Sequence, residues 1–182
     1  MKVHCNKLLM AALGIMCACG AAHAHMRDYL VLSPYWTSPK GAFEFEVYND
    51  FGTKSSGEDF YKHQTELEYG LTDRLTLGLY GVYEKKGSGP LHYARTKFEG
   101  RYRLADYGKL PVNPALYLEY ARGANGHADK VEGKLILSRD FGKNYDMNVT
   151  LNGVFEKERT LGSDWERSFV LGFSKTLNLI SS

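Results

Sequence analysis

Between Ala94 and Leu104 a charge stands at every second position: Arg95, Lys97, Glu99, Arg101 and Arg103. Charges spaced in this way can line a water-filled passage, hold an ionic solute, or neutralise facing charges in a closed space. Other charged residues fall into similar patterns. Together, Glu66, Glu68, Glu84, Arg95, Lys97, Glu99, Arg101, Arg103, Glu132 and Lys134 form the expected lumen-facing set, with Lys62 and Lys130 beside them. One reading is a polar lumen that guides small solutes. The other is a charge-paired plug that stabilises a closed wall. A small barrel fills its interior with side chains, whereas a larger one leaves a channel. Eight strands therefore favour the plug, and twelve would favour the channel.

The remaining reactive side chains point to no catalysis. Ser88, His92 and Glu84 are close in sequence, but there is no G-x-S-x-G turn to present a nucleophile. No Gly-rich phosphate loop follows a strand and opens a helix. The mature histidines (His25, His63, His92 and His127) share no metal-ligand spacing, and His92 and His127 fall in or beside loops. All three cysteines (Cys5, Cys17 and Cys19) precede residue 25, which leaves no thiol chemistry or disulfides downstream. No enzyme activity, cofactor or metal is expected. Asn148-Val149-Thr150 fits a glycosylation pattern but sits mid-strand, where it reads as chance.

What positions the charges is a two-residue period. Opposite the charges from Arg95 to Arg103 stand Ala94, Thr96, Phe98, Gly100, Tyr102 and Leu104. A strand sends successive side chains to opposite faces, whereas a helix would scatter five such charges around its circumference. The same alternation recurs in eight segments, expected at about residues 42–50, 61–69, 75–84, 94–104, 115–122, 130–139, 146–156 and 165–176. Tyr29 to Ser33 is a further candidate for a short strand, and Pro34 and Pro39 mark the connection after it. Polar connections at about 52–59, 85–90, 123–129 and 157–164 gather at one end. Those at 70–74, 106–113 and 140–144 gather at the other. Outer-membrane barrels pair long outside loops with short periplasmic turns. Tyr61, Tyr69, Tyr83, Tyr93, Tyr120 and Tyr145 fall near strand ends, which fits an interfacial girdle or the ordinary preference of strands for tyrosine.

The ends and the composition agree with export. Lys2 and Lys7 precede an apolar run from Leu8 to Ala22, and Ala22-His23-Ala24 fits small-x-small cleavage. Residues 1–24 are thus expected to be a signal peptide, and 25–182 an outer-membrane β-barrel domain. Cys19 offers a poor lipobox as an alternative. Without Lys2 and Lys7 the chain carries 21 basic and 21 acidic residues, so no net basic charge points to nucleic acid. The mean hydropathy of −0.37 suits a wall in which half of every strand is polar. The final residues, Asn178 to Ser182, lack the terminal aromatic expected of a last barrel strand, so a shortened version of a larger barrel is also considered.

Three runs carry a family resemblance: Pro39-Lys40-Gly41-Ala42-Phe43-Glu44-Phe45-Glu46, then Glu66-Leu67-Glu68-Tyr69-Gly70-Leu71-Thr72-Asp73-Arg74, and Glu132-Gly133-Lys134-Leu135-Ile136-Leu137. They resemble the strand starts and strand turns of a loosely characterised family of bacterial outer-membrane β-barrels, described as transporter-like or porin-like. The resemblance covers most of Pro39 to Glu156 and implies no catalytic residues. Members look longer than this chain, with further strands after the region of Phe173.

The expectation is an all-β protein: an antiparallel, up-and-down transmembrane β-barrel of about eight strands, possibly part of a larger one. Its partners would be outer-membrane lipid, the barrel-assembly machinery and small solutes, and its function a passive pore or transporter, or a structural barrel. The alternative is a soluble periplasmic barrel like a lipocalin, with Leu77, Phe98 and Leu151 inside and the charges outside. On the membrane reading, Phe98→Arg is expected to be costly and Arg101→Ala better tolerated.

Overall fold

The computed structural model describes residues 32–142 and 145–176. The expected signal, its cysteines, Tyr29 to Val31 of the candidate leading strand, and Asn178 to Ser182 lie outside them. Eight strands follow one another: β1 (Phe43–Thr53), β2 (Asp59–Thr72), β3 (Leu75–Lys86), β4 (His92–Arg103), β5 (Asn113–Gly123), β6 (Lys130–Phe141), β7 (Met147–Glu158) and β8 (Glu166–Lys175). Each pairs antiparallel with its neighbours in chain order, giving one up-and-down sheet curled into a half-barrel. β1 and β8 are its edges and are not paired with each other among the described residues.

The period-two pattern explains both the strands and their register. Leu79 lies opposite Phe98, Phe98 opposite Tyr120, and Leu151 opposite Leu171, so apolar side chains form rows across the convex face. One residue along, Gly78 faces Glu99 and Glu99 faces Glu119. A slip of one residue would exchange the two faces, so the pattern fixes the pairing strongly.

The register shifts at two places, between Gly70 and Thr72 at the end of β2 and beside Ala94 at the start of β4. Ala94 was expected on the outward face with Phe98. Instead, the register shifts between Val82 and Tyr83, and Ala94 is buried with Tyr80 and Val82. An extra residue in one strand reverses which face the next side chain takes.

Connection length distinguishes the two ends poorly. At one end are residues 54–58, 87–91, 124–129 and 159–165. At the other are 73–74, 104–112 and 142–146. The longest connection, 104–112, sits among the expected short turns. It is braced there: Arg74 grips Asp106 through Nε–Oδ1 (2.9 Å) and Nη2–Oδ2 (2.6 Å), and Gly108 N donates to Asn113 Oδ1 at 3.1 Å. The hydrogen bond from Arg74 holds the exposed Asp106 carboxyl below its ordinary value.

Leu32 to Pro39 does not add a strand. It runs as an extended strap over the concave face, with Leu32, Pro34, Tyr35 and Ser38 buried. Tyr35 packs on Ala115, Tyr117 and Ile136. Its hydroxyl donates to Asp140 at 2.8 Å, and its ring lies 5.8 Å from Tyr107. Burial is the main reason the Tyr35 hydroxyl is held strongly protonated. Ser33 O accepts from Asn152 on β7, while Ser38 N donates to Thr76 Oγ1 on β3 at 2.8 Å. The strap therefore crosses from β7 to β3 before turning into β1.

Candidate functional site

The concave face beyond the strap is a network of charges and tyrosines around a cavity of about 280 Å³. Its centre is Arg101. Nη2 lies 3.2 Å from Glu68 Oε1 and 3.1 Å from Glu99 Oε1, and Nη1 donates to Trp36 O at 3.3 Å. The guanidinium carbon also stands 5.9 Å from the centre of the Trp36 ring, within cation–π range. Glu99 Oε2 accepts from Tyr80 and Tyr117, each at 2.8 Å. The Tyr117 hydroxyl lies equally close to Glu119 Oε2, so its single proton serves one carboxylate at a time. Lys97 completes this side with an ion pair of 3.0 Å to Glu119.

Two further cations extend the network toward β6 and β7. Lys134 Nζ pairs with Glu132 at 2.9 Å, donates to Ser33 Oγ at 2.9 Å and sits 4.3 Å over the Tyr117 ring. Lys130 reaches Glu156 at 2.5 Å and Glu132 at 3.7 Å.

Gly78 makes room for the centre. A Cβ there would stand 2.5 Å from Glu99 Cγ and 3.4 Å from Glu66 Oε1. Glu66, Glu68 and Glu99, all buried, bring carboxylate oxygens within 4.8 Å of one another. Arg101 Nη2 already occupies the space between Glu68 and Glu99, so this is an ion-pair network rather than an open metal cage.

Of the ten residues expected to face a lumen, seven fall in this region: Glu66, Glu68, Lys97, Glu99, Arg101, Glu132 and Lys134. The other three stand apart. Arg103 donates from Nε to Thr37 Oγ1 at 2.9 Å and from Nη2 to Asp73 O, at the turn end. Arg95 donates to Ala128 O at 2.9 Å, at the loop end. Glu84 is half-buried beside Lys62 and Lys85 in a shallow rim cleft.

The burial of Arg101 speaks against the mild effect expected from the sequence for Arg101→Ala. Its side chain is almost wholly enclosed against two carboxylates. Removing one partner of a buried pair strands the other charge, so Arg101→Ala is a severe change.

Tyr80, Tyr117 and Glu119 obey the same alternation as the charges and were legible from it. The strap was not. Its trace in the sequence is Ile136 on β6 and Ala115 on β5, apolar residues on the polar face, fully buried where Tyr35 docks.

The structure also joins His92 and His127, which the sequence left separate: their Nε2 atoms lie 3.4 Å apart. His92 thus meets a second imidazole and Pro90 O. Compared with protein-family models, curated proteins and solved structures, this chain finds no match.

Proposed function

We propose that the chain is an outer-membrane β-barrel protein, a passive conduit for small polar solutes that is held closed by its own N-terminal strap. The observation that carries this reading is the polarity of the wall. Phe98 is 53 % exposed and Leu118 70 % on the convex face, while Glu66 is 1 % and Arg101 5 % exposed on the concave face. Phe45, Leu79, Leu171 and Phe173 extend the outward apolar surface across the sheet. Water penalises so large a contiguous apolar surface, whereas lipid accepts it. A ligand-binding barrel of the lipocalin type needs its apolar side chains turned the other way. The motif resemblance at Pro39–Glu46 and Glu66–Arg74 supports the same reading.

The strap and the 104–112 connection cover the turn end, and the charge network fills the middle. Solute passage on this reading requires the strap to shift. In lipid the backbone groups of β1 and β8 also need partners, from each other or from added strands, because an open edge is not tolerated there.

Cell fractionation with heat-dependent gel mobility tests the reading. The expected result is a membrane-fraction protein whose folded form migrates differently from its boiled form. Recovery only in the soluble periplasmic extract would refute it. Planar-bilayer recordings then address the conduit: the wild type should conduct weakly, and Trp36→Ala, which loosens the strap, should conduct more. Equal silence in both would leave a structural barrel.

A further inference from the structure

The charge network does not use the histidines at the loop end. His92 opens β4, and His127 lies 35 residues away in the connection between β5 and β6. Their Nε2 atoms stand 3.4 Å apart, with ring centroids at 5.6 Å and planes inclined by 23°. The centroid distance exceeds the nitrogen distance by about two ring radii, so the imidazoles meet nose to nose through Nε2.

The loop that brings them together is tightly built. Ala124 N donates to Ala94 O at 2.8 Å, and Asn125 Nδ2 to Tyr93 O at 2.7 Å. Arg95 holds Ala128 O, while Asp129 accepts from Gly123 N at 2.9 Å and from the Tyr120 hydroxyl at 2.6 Å. Those last two bonds keep the half-buried Asp129 carboxyl below its ordinary value. A side chain at Gly123 would run into the carbonyl oxygen of His127, so the return of the loop depends on that glycine.

We infer that His92 and His127 form a rim site for a divalent transition-metal ion of the zinc type. Imidazole nitrogen suits zinc and its neighbours in the series. Zinc–nitrogen bonds of about 2.0–2.1 Å at the tetrahedral angle place neighbouring ligands roughly 3.3–3.4 Å apart. That is the separation found here. From the nose-to-nose arrangement, a swing of about 35° at each ring turns both lone pairs to a common point at that angle. Nδ1 of His92 faces Pro90 O at 3.4 Å. With the proton on Nδ1, that contact orients the ring and leaves Nε2 as the ligand atom. Among the described residues no third histidine or carboxylate places a ligand atom within 4.8 Å of both imidazoles, although Glu84 is paired with His92 across β3 and β4. The other coordination positions are therefore open to water or a solute, and the ion is exchangeable. Binding would tie the connection after β5 to the start of β4.

The test uses untagged mature protein in detergent, stripped with EDTA and titrated with Zn²⁺ by calorimetry. The expected result is one saturable ion per chain and a rise in thermal midpoint on binding. His92→Ala and His127→Ala should each weaken binding by more than about tenfold. His63→Ala, on the separate Asn49 contact, should leave it unchanged. His127→Gln keeps a polar side chain of similar reach in case the alanine variants fold poorly. It should retain heat-dependent mobility and still lose the ion. Absence of one-per-chain binding in the wild type, or undiminished affinity in His127→Gln, would overturn the site. Either result leaves the membrane reading intact, because fractionation and gel mobility do not depend on the metal.

Discussion

The two faces of β4 are made by one stretch of chain, yet they obey opposite rules. On the concave side Glu99 and Arg101 are buried, and their polar atoms meet in ion pairs and tyrosine hydroxyls. On the convex side Phe98 and Tyr102 project outward beside Leu77, Leu79 and Leu118. The concave face is specific: Glu99 and Arg101 each depend on named partners at about 3 Å. The convex face is generic, and any apolar side chain of moderate size would serve. The lesson is that mutational sensitivity in this wall should follow the partners a side chain has, not the hydrophobicity of the residue.

The sharpest way to break the comparison is Arg101→Ala. It strands Glu68 and Glu99 in a closed space, with an expected loss of about 3–5 kcal/mol in urea unfolding of protein refolded into lipid vesicles. A loss below about 1 kcal/mol, the range of an exposed ion pair, would mean that the concave face is wet and its charges independent. On the other face, Phe98→Arg should cost about 2–4 kcal/mol if mid-strand β4 lies near the bilayer midplane. Phe98→Leu should be nearly silent. If Phe98→Leu were as harmful as Phe98→Arg, the convex face would be packed against protein rather than lipid.

A smaller effect is expected at Gly78, where a new methyl group must displace Glu99. Overpacking of this kind costs about 1–3 kcal/mol, and Gly78→Ala measured in the Glu99→Ala background should recover most of it. Additive losses would show that Gly78 does not act through Glu99. The smallest effect lies outside the wall. Because Arg74 depresses the Asp106 carboxyl, the pair stabilises the fold at pH values above the ordinary carboxylate range. That contribution fades as pH falls through the lowered folded-state value. The difference in thermal midpoint between wild type and Arg74→Ala should therefore be small at neutral pH and vanish in acid. A difference that persists at low pH would assign Arg74 a role other than this ion pair.

Much of the wall was legible because a strand forces strict alternation. The eight segments, their order and the separation of Phe98 from Arg101 follow from that period and from the connections between them. Boundaries lengthened where pairing continued into residues that read as loop, as at Gly52 and Lys85, which the sheet takes up as strand. The bulge at Ala94 is not legible in the sequence, because nothing in Tyr93-Ala94-Arg95 announces an extra residue. The centre of the site was half legible: Glu99 and Arg101 share a face by spacing alone, but their convergence with Glu68 spans three strands.

The chain by itself determined that this protein is a sheet with one charged and one apolar face, because period two is a local property of extended backbone. The tertiary structure alone decided what lies against the charged face. Residues 32–39 carry no alternation that predicts docking, and their place is set by distant partners such as Asp140, Asn152 and Arg101. The same holds for His92 and His127. Side chains 35 residues apart become neighbours only when the β5–β6 connection folds back onto the start of β4, and that return is fixed by hydrogen bonds no spacing rule encodes.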